Sequence, residues 1–460
     1  MSPGAPAGRL LANGSWIAAF LCAILAVSPA TARAQATTDR PDSVPLPREK
    51  HVSYQYDALE QSLVRPATRS LDLSLLARKI GRNRREAANV DDADLVRLPS
   101  TWWQPRLGFR PVSPEEMLAG PGPGIGPAPG KWTVIRAKSQ GVSKGFRIKD
   151  AHGARFAIKF DPAQHPELTT SADVVVSKLY WAAGYNVPDN SIAFFRREDL
   201  VVPADATRDS AGKKVRISEA FMDRLFRGVA REPDGSYRVV ASRMLEGKAL
   251  GEWLYNGRRK DDPEDLIPHE LRREIRGLYA INAWTNHTDC SARNTLDMYV
   301  TDGGRSFVRH YLIDFSGCLG SASIAAQTPR GGNEYFVNFG SITKSLVTLS
   351  LMPFKWEHAV DPGLPAVGFI DSEVFDPAAW RPYMPNPAFD ERTERDIRWG
   401  ARIVAAFSDA HIQAAVGAGK YSDPRAAEYL VRILGERRDK IVAHWLPGTL
   451  AEVRRDSVQP

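Results

Sequence analysis

The sequence has few cysteines, few long apolar runs and no concentration of charge of one sign. Three cysteines in 460 residues are too few for a disulfide-stapled miniprotein. The one extended apolar run lies near the amino terminus, which excludes a polytopic membrane protein. The 61 Lys and Arg residues stand against 54 Asp and Glu residues and form no basic tail. We therefore expect no nucleic-acid partner.

Several chemistries also lack their sequence signals. The chain has no Walker string, no G-x-S-x-G elbow and no zinc-knuckle spacing. Its hydrophobic fraction of 43% is sufficient to fill a core, which argues against disorder as the main state. At about 150 residues per domain, the length indicates one large domain or a few smaller ones.

Residues 1–34 have the pattern of a cleavable export signal. Arg9 precedes the apolar run Trp16–Val27, and Ala34 ends an A-x-A site. The run is shorter than the roughly 20 apolar residues that a membrane-spanning helix needs. We therefore expect an exported protein, periplasmic or secreted, that keeps no stable membrane span after cleavage.

Cleavage of this signal leaves Cys290 and Cys318 as the cysteines of the mature chain. In an oxidising compartment the two could form a disulfide. The alternative is a pair of small buried thiols. The sequence leaves both open.

The rest of the chain changes character twice. Residues 35–130 are predicted to be a leader and linker: 35–70 are polar and contain Pro and are expected to be poorly ordered, a helix is predicted over Leu71–Ala88, and Pro114–Gly130 is a linker dense in Pro and Gly. Residues 131–248 are predicted to form short strands around one prominent helix. Residues 249–450 are predicted to be mostly helical.

The element pattern predicts an α+β fold. It consists of a small antiparallel sheet with one main helix, followed by a larger and mostly helical part. The strands of the first part alternate apolar and polar residues, and the helices show apolar spacing of about 3.6 residues. The main predicted elements are the strands Trp132–Ile135, Phe146–Ile148 and Arg155–Phe160, and the helices Ser171–Ala183, Pro268–Thr285, Asp396–Phe407 and Ser422–Ala443.

Two features of the strand-rich part indicate a site for phosphates. Gly141 and Gly145 lie between two predicted strands, where glycine lets a backbone approach phosphates closely. Lys159 lies in the middle of a predicted strand, and Asp173 on the following helix can pair with it. Taken alone, each has an ordinary alternative: a hairpin glycine and a solvent-facing lysine.

Two polar segments of the later part indicate catalysis and metal binding. Asn286–Asn294 places Asp289 and Asn294 after an apolar helix, which suits a carboxylate beside an attacking hydroxyl and an amide ligand for a cation. Asp314 ends the apolar run Tyr311–Ile313 before a Ser-Gly turn, where a carboxylate can hold Mg²⁺. Polar loops and turns are the structural alternatives.

The joint order of these segments resembles the signature set of protein kinases. The glycine loop, strand lysine, helix acid, H-x-D-x-x-x-x-N string and D-F-S turn follow one another as in that family. The likeness is to an atypical branch, secretory-pathway kinases and bacterial toxin-type serine kinases. Ala172–Leu179, followed by Gly184–Pro188, resembles their acidic helix and its exit. The resemblance implies a bilobal kinase-like fold.

The resemblance also implies roles for individual residues. Glycines 141 and 145 cover the phosphates of ATP, and Lys159 contacts these phosphates while paired with Asp173. Asp289 orients or deprotonates the acceptor hydroxyl. Asn294 and Asp314 hold Mg²⁺ or Mn²⁺, and His287 ties the catalytic turn to the strand of Asp314.

The expected function is an exported phosphotransferase that moves a phosphoryl group from ATP to a hydroxyl of a protein, sugar or lipid headgroup. A catalytically inactive pseudokinase or nucleotide-binding envelope scaffold is one alternative, because extracytoplasmic spaces hold little ATP. Transfer of AMP by the same residues is another. Thr288 stands where such kinases carry arginine, so activation by loop phosphorylation is not expected.

Overall fold

The computed structural model describes residues 43–53, 85–137, 143–210 and 213–448, together with Glu60 and Val64. These belong to one compact unit, Pro41–Pro460. The predicted export signal, most of the predicted helix Leu71–Ala88, and Gly141 lie outside the described residues. None of the helices in the described ranges is both long and apolar enough to cross a membrane.

The first half of the fold is a sheet in which most neighbouring strands are antiparallel. Its strand order is β4-β8-β3-β2-β1-β6-β7, and β1 pairs in parallel with β5 and β6. Alternate residues of β3 face a buried core, which is the period of two expected for a half-covered sheet. The strands are β1 (Trp132–Ala137), β2 (Gly145–Lys149), β3 (Arg155–Phe160), β4 (Asn190–Phe195), β5 (Leu200–Val201), β6 (Thr207–Ser210), β7 (Lys213–Arg216) and β8 (Tyr237–Arg243).

Helix α2 (Leu168–Ala182) joins β3 to β4 and is the main helix of this half. It starts three residues before the predicted Ser171, because the carboxylate of Asp161 accepts hydrogen bonds from the backbone N–H groups of Thr169 (2.8 Å) and Thr170 (2.9 Å). The hydroxyl of Ser171 does not cap the helix but donates to the carbonyl of Gly419 at 3.0 Å.

The second half is mostly helical and carries a small sheet, in the order β11-β10-β9. The predicted later helices form, although the one predicted from Pro268 begins at Arg273, after a 3-10 turn. Helix α5, which follows the strand of Asp314, was not predicted. The elements are β9 (Lys248–Gly251), α4 (Arg273–Thr285), β10 (Thr295–Asp302), β11 (Arg305–Leu312), α5 (Phe339–Val347), α6 (Pro387–Glu391), α7 (Glu394–Ala405), α8 (Asp409–Ala418) and α9 (Pro424–Trp445); α3 (Glu219–Phe226) belongs to the first half.

Two hydrophobic cores underlie the two halves. One lies under the first sheet and includes Phe146, Ile158 and Phe160. The other fills the helical half and extends to α2 through residues such as Leu179. Together with the order of the elements, these cores confirm the predicted α+β architecture of a sheet-rich part with one main helix and a larger, mostly helical part, with α2 between the two.

The segment predicted as a linker packs onto the body. Helix α1 (Pro114–Ala119) is capped by Ser113, and Met117 is fully buried in the larger core. Trp102 and Trp103, which precede this segment, are both buried in the larger core. The Pro and Gly residues end α1 and form the turn after it, so they mark the boundaries of an ordered segment.

Candidate active site

Lys159 lies on β3 between two core residues, so the strand alternation turns its side chain to the opposite face. There its ammonium contacts two acids. Nζ lies 3.0 Å from Oδ2 of Asp173 and 2.8 Å from Oδ1 of Asp314. The structure thus brings together three predicted site residues from β3, from α2 and from the end of β11.

Asp173 is fully buried and reaches the lysine although its side chain is one methylene shorter than the glutamate usual in kinases. Oδ1 accepts hydrogen bonds from the Asn190 side-chain amide at 2.9 Å and from the backbone N–H of Phe315 at 3.2 Å. These two donors fix the carboxylate on the side away from the lysine. The Phe315 contact also ties α2 directly to the residue that follows Asp314.

Burial and the excess of carboxylates over ammonium groups determine the electrostatics of Lys159, Asp173 and Asp314. Burial by itself lowers the pKa of Lys159, but the charges of Asp173 and Asp314 outweigh it, so this pKa is raised above its ordinary value. Burial raises the pKa of Asp173, Lys159 opposes that effect, and the nearby charge of Asp314 adds to it. One ammonium therefore faces two carboxylates, an arrangement that favours a further cation.

Asp314 occupies the left-handed region of backbone conformation, with φ of 60°. A non-glycine residue in this region is uncommon, and such residues concentrate at functional sites. The Ser316 hydroxyl donates to Oδ1 of Asp314 at 2.6 Å. The Ser-Gly turn predicted after the aspartate thus restrains the carboxylate that contacts Lys159.

Asp289 and Asn294 lie on one turn that contacts the residues on both sides of Asp314. The Asn294 amide donates to the carbonyl of Asp289 at 2.6 Å, which closes the turn. The N–H of Ile313 donates to the carbonyl of Asn294 at 2.9 Å, so this turn is bonded to the residue before Asp314. A Cβ added at Gly317 would meet the Cβ of Asp289 at 3.4 Å, which places Asp289 against the loop that follows Asp314.

His287, expected to tie the turn of Asp289 to the strand of Asp314, is buried. Nδ1 lies 3.1 Å from the Tyr180 hydroxyl, and the ring meets that of Phe315 edge to face, with centroids 5.7 Å apart. Nε2 has no hydrogen-bond partner among the described residues. Burial lowers the pKa of His287 from 6.5 to about 4, so the ring is neutral at pH 7.

Gln327 was missed by the sequence interpretation, and it connects the two loops that carry Asp289 and Asp314. Its amide nitrogen donates to the Thr288 hydroxyl (3.1 Å), to the carbonyl of Gly317 (3.3 Å) and to that of Ser321 (2.8 Å). Its oxygen accepts from the Asn286 side chain at 2.8 Å. Thr288, in the place of the kinase arginine, is therefore bonded to an amide within the same chain.

Gly145 lies on β2 opposite Lys159 in the β2–β3 pairing. A Cβ at this position would come within 2.2 Å of the carbonyl of Ile158, so the close approach of the two strands requires glycine. Glycine at position 145 therefore has a structural reason, in addition to its predicted part in covering phosphates. Gly141 lies outside the described residues.

Cys290 and Cys318 are free, buried thiols, so the structure shows the reduced alternative. Burial raises the pKa of both thiols above the ordinary value. They flank the site within the larger core and add no charge to it.

The oxygen donors at the site fit a hard divalent cation. Asp314 supplies a carboxylate whose side chain is 28% exposed, and Asn294 supplies an amide that closes the adjacent turn. Carboxylate and amide oxygens are ligands that Mg²⁺ and Mn²⁺ accept. The described residues contain no cluster of three or more His, Cys, Asp or Glu side chains suited to a metal. A cation here would thus share its coordination with other oxygens, as Mg²⁺ does with phosphates.

The fold is α+β in two parts, and its candidate site holds a lysine paired with two acids. No family model matches the chain, and the comparison with curated proteins gave no match. Among solved structures, the chain is similar to the Helicobacter pylori proinflammatory kinase CtkA, with 12% identity and a TM-score of 0.37. The match covers 72% of this chain and 100% of that one.

Proposed function

We propose that this protein is a phosphotransferase that moves a phosphoryl group from ATP to a hydroxyl acceptor with Mg²⁺ or Mn²⁺. The observation that supports it most is the position of the Lys159 ammonium between Asp173 and Asp314, at 3.0 and 2.8 Å. Such a lysine is oriented by one acid and lies beside another. This is the arrangement needed to hold a triphosphate and its cation.

Each polar residue then has a distinct part in the reaction. Lys159, oriented by Asp173, binds the nucleotide phosphates. Asp289, half-buried on the turn closed by Asn294, faces the acceptor and accepts its hydroxyl proton. His287 remains neutral and supports the turn from below.

Asp314 and Asn294 are the residues that would hold the cation. When bound, the cation supplies neutralisation of the charge on the transferring phosphoryl group. The protein contributes mainly positioning and fixed charge, because phosphoryl transfer requires little covalent chemistry from the enzyme.

Purified mature chain incubated with Mg²⁺ or Mn²⁺ and ATP labelled at the γ or the α phosphorus tests the proposal. We expect γ label to enter an added protein, sugar or lipid mixture, or the chain itself. Asp289→Asn should reduce this transfer at least about 100-fold, the usual loss for a general base, with nucleotide binding retained. Asp302→Asn, on an exposed part of β10, is the matched control and should transfer normally.

The alternatives give different results in the same experiment. Incorporation of α label identifies AMP transfer, and binding without any incorporation identifies a pseudokinase or scaffold. Asp314→Ala should abolish metal-dependent nucleotide binding in calorimetry. Unchanged nucleotide binding in this variant would contradict the proposal that Asp314 holds the metal ion.

A further inference from the structure

The segment that follows the Asp314 loop carries an exposed apolar tip, defined here as Leu346, Val347, Leu349, Leu351 and Met352. These side chains are 70, 79, 80, 81 and 60% exposed. Single exposed aliphatic residues are ordinary on a protein surface, whereas five within seven positions mark an interaction site.

The tip stands on a fixed base. The buried Glu334 carboxylate accepts hydrogen bonds from the Ser341 hydroxyl (2.7 Å) and the Trp356 indole (3.3 Å). Asn338 caps the start of α5 by accepting from the N–H of Ser341. The two ends of the segment are thus bonded to one buried carboxylate while the apolar tip between them projects outward.

From Tyr335 to Trp356 the segment that carries the tip has two lysines, Lys344 and Lys355, and no acid, whereas Glu334 and Glu357 stand immediately before and after it. Lys344 lies over the ring of Phe354, 4.1 Å from its centroid, and Phe354 stacks with Trp356. Aliphatic residues at a tip, with lysine and aromatic residues at its base, form the pattern of a segment seated at a membrane interface.

We propose that this tip inserts into the headgroup region of an anionic lipid bilayer. Side chains about 80% exposed project with few neighbours. A fluid acyl phase surrounds such a projection from every side, whereas a rigid partner must supply a matching socket. The two lysines add attraction to anionic headgroups, and that attraction falls with salt.

The base of the tip also reaches the candidate active site. The Phe336 ring stacks on that of Tyr383 with centroids 4.6 Å apart, and the Tyr383 N–H donates to the carbonyl of Thr288, next to Asp289. A bilayer that holds the tip is thus linked by direct contacts to the catalytic turn. If the proposed function holds, on which this step rests, acceptors at a lipid surface are favoured.

Vesicle co-sedimentation of the full chain tests the proposal without any need for catalysis. We expect binding to vesicles of phosphatidylcholine with phosphatidylglycerol, weaker binding to phosphatidylcholine alone, and a decrease with salt. Leu349→Asp with Leu351→Asp should weaken binding at least tenfold. The control Ile125→Asp with Leu266→Asp, also at exposed apolar positions and with the same charge change, should bind as the wild type does.

Three results would overturn the proposal. The first is that the chain binds neither kind of vesicle. The second is that the Leu349/Leu351 variant binds vesicles as the wild type does. The third is that the wild type binds no vesicles but forms a dimer in sedimentation equilibrium, and that the variant does not form this dimer. The last result assigns the tip to a second copy. A chain that transfers no label but binds vesicles through the tip contradicts the proposed function alone.

Discussion

Helices α2 and α5 are opposite in their burial. Every one of the 15 residues of α2 is buried, whereas no residue of α5 is. α2 lies between the two halves of the fold and carries Asp173, the partner of Lys159. α5 follows the Asp314 loop and carries apolar residues into solvent. The difference separates a helix whose position is determined by the protein from one whose apolar side chains are available to the surroundings.

The start of α2 is tied to the helical half of the molecule. Arg238, from β8, donates to the Ser171 hydroxyl at 2.9 Å and to the carbonyl of Gly419, which lies just after α8. It also pairs with the buried carboxylate of Asp161 at 3.3 Å. Because both ends of this network are buried, α2 has little freedom to swing and take Asp173 away from the lysine.

We expect the largest loss of stability when the contacts of Arg238 are removed. Arg238→Ala leaves the buried Asp161 without its charge partner, and breaking a buried ion pair in this way destabilises by about 3–5 kcal/mol. Urea denaturation measures the loss. Arg196→Ala, in an exposed ion pair with Asp234, is the control and should change stability by less than about 1 kcal/mol. Equal losses in the two variants would mean that the Arg238 network contributes no more than a surface ion pair.

The same substitution on the two helices sharpens the comparison. Leu179→Ala on α2 removes a side chain with 0% exposure and should destabilise by about 2–5 kcal/mol, because a cavity remains. Leu346→Ala on α5 removes a side chain that is 70% exposed and should stay within about 0.5 kcal/mol of the wild type. A large loss from the second variant would show that α5 is covered within the folded chain.

The buried histidine beside α2 predicts a pH dependence of stability. Above pH 6.5 His287 is neutral in both the folded and the unfolded chain. Between pH 6.5 and about pH 4, the ring is protonated in the unfolded chain but still neutral in the folded chain. Stability should therefore fall as pH decreases through this interval, by about 3 kcal/mol from this group. Denaturation at several pH values measures the slope, and His287→Asn should have a shallower slope. An unchanged slope would contradict the buried neutral state.

The sequence predicts those parts of the fold and site that depend on local pattern. Alternation placed Lys159 on a strand face, and helical spacing placed Asp173 on the next helix. The polar strings pointed to Asp289, Asn294 and Asp314, which the structure places on two adjoining turns.

What the sequence does not predict depends on contacts between distant segments. Asp161 stands seven residues before the first residue of α2, Leu168, beyond the spacing of an ordinary helix cap. Asn190 and Gln327 are polar residues in no recognisable motif, and their importance comes from carboxylates and carbonyls that folding brings to them. The Pro and Gly residues after α1 have the composition of a linker, but burial of Met117 orders this segment.

A smaller stability change than those of Arg238 and Leu179 is expected for Gln327, and it tests whether the turn of Asp289 is assembled without phosphorylation. Gln327→Ala removes one acceptor and three donated hydrogen bonds but no charge, so the expected destabilisation is about 1–3 kcal/mol. Hydrogen exchange should increase together in residues 286–294 and 314–323, since one amide joins these two loops. Asn186→Ala, which removes an amide bonded to the carbonyls of Thr101 and His310, is the matched control and should leave both loops protected.

Activity separates a positioning part for Gln327 from a purely structural one. If the amide sets the Asp289 turn against the Asp314 loop, the variant loses turnover with little change in KM for ATP, even at temperatures where it is fully folded. The wild type should be equally active after phosphatase treatment, because Thr288 is bonded to Gln327 in the unmodified chain. A phosphatase-sensitive wild type, or exchange that rises in one loop alone, would contradict this view, since one buried amide could then not be what holds the two loops together.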